Sequence, residues 1–319
     1  LLNDNHDVIE VLLACWQIGA IPVLIPSGAT ASEITQFIDN SHTQLLITQW
    51  DFEDSIREID VQFHFFEELS QGLGGCGIPH YSGIQSDEDL CLILFTSGTT
   101  GSPKSVQLTQ KNLLESASQW HEQLQFRQDD VYLNFLPIHH IGGISIFIRS
   151  LVYGFKTIQL NSFDESKILK SIEEYSVSLI SLVPTMLNRI IKMDNYNFLK
   201  SLRGIILSGG PSCDELMNIC IVEELPIYKS YGMTETASGV CGFWLHKNTK
   251  KFKSVGQSFE KTNLKIKDGI LWVNGPSIMI GYVDDDIIDE WFNTGDYANI
   301  DEDGFIYIEM RREDRIVTG

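Results

Sequence analysis

Leu90-Cys91-Leu92-Ile93-Leu94-Phe95 runs without a break into Thr96-Ser97-Gly98-Thr99-Thr100-Gly101-Ser102-Pro103-Lys104-Ser105. The apolar run follows Asp87-Glu88-Asp89 and fits a strand covered on both faces. The loop after it offers two glycines for close backbone approach, the hydroxyls of Ser97, Thr99 and Thr100, exposed amides, and then the cation Lys104. Such a set makes a phosphate cradle. It is not a Walker A loop, because Pro103 stands before the lysine where that motif needs glycine. Val106 to Leu108 then reads as a strand ahead of a helix capped near Thr109, so loop amides and hydroxyls, not a helix dipole, would hold the phosphates. Taken alone, the same composition also suits a surface turn.

Outward from the loop, helix and strand signals alternate. Val8, Ile9, Leu12, Leu13 and Trp16 recur at helical spacing between His6 and Ala20, and Ile21 to Ile25 reads as a short buried strand. Ser32 to Asp39 reads as helix and Leu45 to Thr48 as strand, and the glycine-rich Gln71 to Gly77 marks a boundary. Downstream, strands are expected at Val131–Leu136, Thr157–Leu160, Val177–Val183 and Gly204–Leu207, with helices at Gly143–Tyr153, Asp164–Tyr175 and from Pro184. This alternation predicts an α/β fold of stacked, mostly parallel sheets, with ligands at the carboxyl ends of the strands. Beyond Ser254 the pattern turns to β: Leu264–Ile266 and Ile270–Val273 flank Lys267-Asp268-Gly269 as a hairpin, and Phe305–Ile308 is another strand. The expected units are 1–76, whose start is expected to be missing, 77–254 and a small β-rich unit at 255–310.

Acidic residues outnumber basic ones 43 to 23, a formal charge of −20, which opposes binding to nucleic acid or an anionic membrane. An anionic ligand therefore needs a local cationic or amide-lined site. The six cysteines show no metal-ligand spacing and are expected as buried, reduced thiols of a cytoplasmic protein. No apolar run reaches the ~18 residues that span a bilayer, so membrane insertion is not expected. The oligomeric state is open, a homodimer included.

Further motifs join the loop. Ser208-Gly209-Gly210-Pro211 and Tyr231-Gly232-Met233 offer a flat slot and an aromatic face. Thr234 can donate to a phosphate oxygen, Glu235 can hold a hard cation, and Asp296, after Trp291-Phe292-Asn293-Thr294-Gly295, can accept from a vicinal diol. Each has a plainer reading: a helix-start carboxylate for Glu235, a turn for Gly295-Asp296, a solvated charge for Arg311. Together with Gly275-Pro276 through Gly281-Tyr282 and Arg311-Arg312-Glu313-Asp314, in this order and over nearly the whole chain, they resemble the adenylate-forming superfamily. That superfamily comprises acyl-CoA synthetases, luciferases and nonribosomal-peptide adenylation domains.

The resemblance implies that the large N-terminal domain of such an enzyme is present, its β-rich unit barrel-like. It implies ATP phosphates on Thr96, Ser97, Gly98, Thr99, Thr100, Gly101 and Lys104, and adenine against Ser208–Pro211 and Tyr231–Met233. It further implies Mg²⁺ on Glu235, ribose on Asp296 and Arg311, and coenzyme A as co-substrate. A hinge is implied at 311–319, near Arg312 to Asp314, before a C-terminal lid. The sequence ends at Gly319, so that lid and its charge-stabilising lysine are expected to be absent and this form poorly active.

For the acid, Pro137-Ile138-His139-His140 is followed by Gly142-Gly143 at a helix start, with Arg149 among apolar neighbours. No aspartate stands here to receive an α-ammonium, which counts against an amino-acid substrate. His140 through Arg149, with Ile180-Ser181-Leu182-Val183-Pro184-Thr185-Met186-Leu187, looks most like the 2-succinylbenzoate:CoA ligases of menaquinone and phylloquinone synthesis. There the arginine helps receive a second carboxylate; otherwise it snorkels out of the helix. Asp284-Asp285-Asp286 and Asp301-Glu302-Asp303 lack EF-hand spacing and read as solvated turns. The leading expectation is an ATP-dependent acid:CoA ligase acting on a small-molecule carboxylic acid through an acyl-AMP, with Thr99, Lys104, His140, Thr234 and Glu235 catalytic. The alternatives are a lidless module that binds adenylate without turnover, and an amino-acid or aryl-acid adenylation domain.

Overall fold

A computed structural model describes residues 1–2, 6–72, 83, 86–96, 103–193 and 196–311, with backbone alone at 70–72 and 310–311. The chain opens with α1 (His6–Ile18), α2 (Ala31–Ser41), β1 (Leu45–Thr48), α3 (Glu53–Ile56), β2 (Gln62–Phe65) and α4 (Phe66–Gly72). The middle holds β3 (Leu90–Thr96), β4 (Lys104–Thr109), α5 (Gln110–Leu124), β5 (Val131–Asn134), α6 (Ile141–Tyr153), β6 (Lys156–Gln159), α7 (Glu165–Glu174) and β7 (Leu179–Leu182). It continues through α8 (Pro184–Ile191), α9 (Tyr196–Ser201), β8 (Gly204–Leu207), α10 (Asp214–Val222), β9 (Ile227–Met233), β10 (Ser238–Trp244) and β11 (Gln257–Ser258). The last strands are β12 (Asn263–Lys267), β13 (Ile270–Asn274), β14 (Gly281–Tyr282), β15 (Phe292–Ile300) and β16 (Ile306–Arg311).

Local chemistry sets most helix ends. Thr30 and Glu33 cap each other at the start of α2, Thr109 and Asn112 do the same for α5, and Asp164 accepts from the Lys167 amide before α7. Pro184 sits in the first turn of α8, where a missing N–H costs nothing, and Gly154 closes α6 in the left-handed region at φ +72°.

The largest sheet has seven strands in the order β11-β10-β9-β8-β7-β5-β6. From β6 through β9 all pairings are parallel; β10 and β11 add antiparallel. The architecture is thus the expected α/β one, with antiparallel strands at its borders. Three departures from the sequence reading have physical reasons. Leu90–Phe95 is covered on both faces, but its partner is the antiparallel β4, in register Thr96 opposite Lys104, so the loop between them joins two paired strand ends. Ile21–Ile25 contributes only an isolated bridge, Val23 to Ile93, because Pro22 lacks an amide to extend a ladder. β11 and β14 leave the β-rich region to pair with β10 and β4, so hydrogen bonds cross the lines drawn from composition at 254 and 255.

Four apolar clusters fill the space between these layers. The cluster under β3 and β4 joins Leu92, Leu94, Val106 and Leu108 to Leu271, Val273 and Met279, and so packs the phosphate-loop strands on the four-stranded β12-β13-β15-β16 sheet. Phe95 faces the other way and packs against Phe37 of α2, the ring centroids 4.4 Å apart and the planes tilted by 48°. Cys91, Cys220 and Cys241 are buried, and burial pushes each thiol up to about 12. Cys213, expected inside, is exposed at the start of α10. Among the described residues no helix is long and apolar enough to cross a membrane.

Candidate active site

The loops that leave β5, β8 and β9 converge at the carboxyl ends of the parallel strands, with the start of α8 beside them. Ser208 donates its amide to Leu182 O at 3.2 Å, setting Ser208-Gly209-Gly210-Pro211 against the start of α8. Gly209 lies at φ +79°, and a β-carbon there would sit 3.1 Å from Val183 Cγ1. Gly232 is required for a different reason: a β-carbon would come within 1.9 Å of Ser238 O, where β10 closes on β9.

Tyr231 donates its hydroxyl to Asp296 Oδ2 at 2.5 Å, tying the seven-stranded sheet to β15. Burial, reinforced by the Asp296 carboxylate, raises the phenol well above its ordinary range, so it stays a donor. Asp296 is buried, and its backbone stands opposite that of Arg311 across β15 and β16. The two residues expected at a ribose are therefore cross-strand neighbours.

Met233 ends β9, donating its amide to Thr236 Oγ1, and Thr234–Thr236 forms one 3-10 turn that carries Glu235. Glu235 is buried, accepts from the Tyr282 hydroxyl at 2.9 Å, and gives its backbone carbonyl to the Met279 amide. Lys104 is exposed, its ammonium 4.8 Å above the Tyr282 ring. Tyr282 thus stands between the loop's cation and the proposed metal ligand. Thr96 and Lys104 frame the loop; Ser97, Gly98, Thr99, Thr100, Gly101 and Ser102 lie outside the described residues, as does the Arg311 side chain.

At the acid end, His140 occupies the position before α6 with an exposed ring 4.4 Å from that of His139. Burial, and to a smaller extent the neighbouring His140, lowers His139 to about 4, so it is neutral near pH 7. Gly142 and Gly143 let α6 start hard against the preceding turn; a β-carbon on Gly143 would lie 2.3 Å from Pro137 O.

Arg149 does not snorkel. It is 3 % exposed, its guanidinium lies 4.5 Å from the centroid of Trp120, and Nη2 donates to Ser238 Oγ at 2.8 Å. Burial lowers it to about 10, which leaves it charged. No carboxylate pairs with it among the described residues. Arg149 Nε, Trp120 Nε1 and Ser145 Oγ are all buried with no hydrogen-bond partner there. Ser145 lies one turn before Arg149 on the same face of α6. On the sheet side, the Tyr132 hydroxyl meets Ser181 Oγ at 2.7 Å. Trp120, Tyr132 and Ser238 were not singled out from sequence, and Ser145 and Ser181 entered only within longer stretches. Trp120 is merely one apolar position of the amphipathic α5, and nothing local marks it.

Residues 1–283 match the family model for AMP-binding enzymes. The chain belongs to this family. The 2-succinylbenzoate–CoA ligase of Bacillus cytotoxicus is 31% identical over 340 aligned residues, covering all of this chain and 69% of its relative. Among solved AMP-binding enzymes, the o-succinylbenzoate CoA synthetase of Bacillus subtilis in complex with its acyl-adenylate intermediate superposes with TM-score 0.92 at 29% identity, covering 98% of this chain and 68% of its own. The same enzyme in complex with ATP and magnesium ion gives TM-score 0.90 at 29% identity, covering 100% and 70%. Within this AMP-binding enzyme the hydroxyls of Tyr231 and Tyr282 satisfy Asp296 and Glu235, whereas Arg149 Nε and Trp120 Nε1 are among the buried atoms without a hydrogen-bond partner in the described residues.

Proposed function

We propose that this chain carries the acid-activating site of an ATP-dependent 2-succinylbenzoate–CoA ligase. The observation that supports the acid most directly is the buried Arg149, which pairs with no carboxylate among the described residues, with donors on Trp120 and Ser145 that are likewise unsatisfied there. A buried guanidinium and unpaired N–H and O–H groups cost free energy until an anion satisfies them. A substrate with one carboxylate to activate and a second to anchor fits that need.

In this reading the nucleotide lies across Ser208, Gly209, Gly210, Pro211, Tyr231, Gly232 and Met233, with its ribose at Asp296 and Arg311. Its phosphates reach Thr96, Ser97, Gly98, Thr99, Thr100, Gly101, Lys104 and Thr234. Glu235, one buried carboxylate beside that phosphate site, fits Mg²⁺, which prefers one or two carboxylates plus phosphate oxygens. When bound there, the metal supplies neutralisation of phosphate charge. His140, Gly142, Gly143 and Arg149 line the acid pocket. A carboxylate oxygen of the acid attacks the α-phosphorus; the new O–P bond forms as the bond to the β-phosphate bridge breaks, and pyrophosphate leaves. The thiolate of coenzyme A then attacks the acyl carbonyl, and AMP leaves. The chain's contribution is placement and fixed charge: Lys104 and Thr234 meet phosphate oxygens, and Arg149 holds the remote carboxylate.

The test is acid-dependent exchange of labelled pyrophosphate into ATP by the whole protein with Mg²⁺. Exchange with 2-succinylbenzoate that falls sharply with benzoate supports the reading. No exchange, or equal exchange with both acids, sinks the substrate assignment.

A further inference from the structure

The C-terminal end of α2 touches the exit of the phosphate loop at two places and the turn after β14 at a third. Asn40 donates from Nδ2 to Pro103 O at 3.0 Å, and its own carbonyl accepts from Ser105 Oγ at 2.7 Å. That carbonyl is among the last of the helix, which has no partner within α2, so the Ser105 hydroxyl satisfies it from outside. The third contact is His42 Nε2, 2.9 Å from both carboxylate oxygens of Asp284. Asp284 follows Val283, whose amide donates to Ser105 O at 3.0 Å. Residues 103 and 105 are thus bound from α2 on one side, and 105 and 106 from β14 and its turn on the other, in register Tyr282 opposite Val106. Lys104 lies between the two grips with no side-chain hydrogen bond to either and its ammonium over the Tyr282 ring.

We propose that Asn40 is a positioning residue for Lys104, fixing the backbone on both sides of it so that the ammonium stands over Tyr282 and faces the phosphates. The inference rests on the nucleotide part of the reading above, and not on the identity of the acid. A flexible four-carbon side chain is a poor pointer unless its Cα is held. Asn40 holds it with a donor and an acceptor on one residue, from a segment more than sixty positions upstream. Because Asn40 binds the residues on both sides of Lys104, its loss is expected to act on ATP.

The experiment compares wild type, Asn40→Asp and Ser105→Ala in the whole protein. Asn40→Asp keeps the shape but replaces the Nδ2 donor with an acceptor facing Pro103 O; Ser105→Ala removes the reciprocal bond. ATP affinity by calorimetry, KM for ATP, KM for the acid and the thermal midpoint are measured on each. The expected result is ATP affinity weakened and KM for ATP raised about fivefold in each variant, the scale of one hydrogen bond, with KM for the acid within about twofold and an unchanged midpoint. Unchanged ATP affinity in both variants overturns the proposal. So does a parallel rise of both KM values with a falling midpoint, which is the mark of a merely structural contact. Should Asn40→Asp fail to fold, Ser105→Ala alone carries the same two outcomes. A wild type that binds ATP but exchanges no pyrophosphate defeats the ligase reading, while the affinity comparison still decides the role of Asn40.

Discussion

Two arginines lie on the same parallel sheet and are treated in opposite ways. Arg203, just before β8 at the amino ends of the strands, gives Nε and Nη2 to Asp130 at 3.0 and 2.6 Å and Nη1 to Leu124 O at 2.6 Å. Asp130 is itself completed by Ser178 Oγ and the Arg127 amide. Arg149, on α6 and reaching Ser238 where β10 meets the last residue of β9, has one hydroxyl, an indole face and an unused Nε. One end of the sheet has closed its polar groups on itself, as a structural network must. The other keeps a buried cation and unsatisfied donors among the described residues, and the proposed acid site rests on that difference.

The comparison breaks first at the proposed metal ligand Glu235, a third and different case, whose carboxylate accepts from Tyr282. Glu235→Gln is expected to slow acyl-adenylate formation about a hundredfold with little change in thermal midpoint, read by pyrophosphate exchange across a Mg²⁺ titration. An activity within tenfold of wild type removes Glu235 from the metal site. Next is Asp130→Asn, which leaves the Arg203 guanidinium without its counter-charge and is expected to cost about 3 kcal/mol in denaturant unfolding.

The same pair carries a pH signature. Burial alone would raise the Asp130 carboxyl, but hydrogen bonds from Arg203, Ser178 and the Arg127 amide outweigh it and hold the group below its ordinary range. A lowered carboxyl contributes stability that is complete above the unfolded pKa, about 4, and is lost as pH falls through the folded one. Wild type should therefore lose stability below about pH 4 more steeply than Asp130→Asn. Equal slopes would mean the pair is no stronger folded than unfolded.

Arg149→Met sharpens the contrast from the other side. Removing an unpaired buried cation is expected to raise the midpoint or leave it unchanged, while weakening 2-succinylbenzoate about tenfold and leaving a mono-acid unaffected. A destabilised variant with equal losses on both acids would make Arg149 structural. The smallest effect belongs to His42→Ala: both partners of its contact with Asp284 are mostly exposed, so less than about 0.5 kcal/mol is expected in unfolding, and a loss above ~1 kcal/mol would show the α2 clasp to be stronger than an exposed contact.

The proposed nucleotide end could be read from sequence because its parts are contiguous. Tyr231 through Thr236 is one strand end and one turn, and Asp296 sits in a short run whose polar residues name their own chemistry. The proposed acid end was read at His140, Gly142, Gly143 and Arg149 on one segment, with Ile180–Leu187 as a supporting stretch. Trp120, Tyr132, Ser181 and Ser238 come from four other elements and meet only when α5 and α6 pack on the sheet. Asn40 was unreadable for the same reason: nothing near it in sequence tells that its amide will find Pro103.

The sequence by itself determined the α/β alternation, the helix cap at Thr109, and the strands of the parallel run from β5 to β8, and it marked the loops proposed to bind nucleotide. These depend on periodicity, turn residues and short-range hydrogen bonds, which act over a few positions. Only the tertiary structure decided that the Leu90–Phe95 strand pairs antiparallel, that Asp296 faces Tyr231 and Arg311, that Tyr282 bridges Lys104 and Glu235, and that Arg149 is buried without a carboxylate. Those outcomes are set by which faces find one another across long stretches of chain, and burial then turns an ordinary arginine into a group that needs an anion.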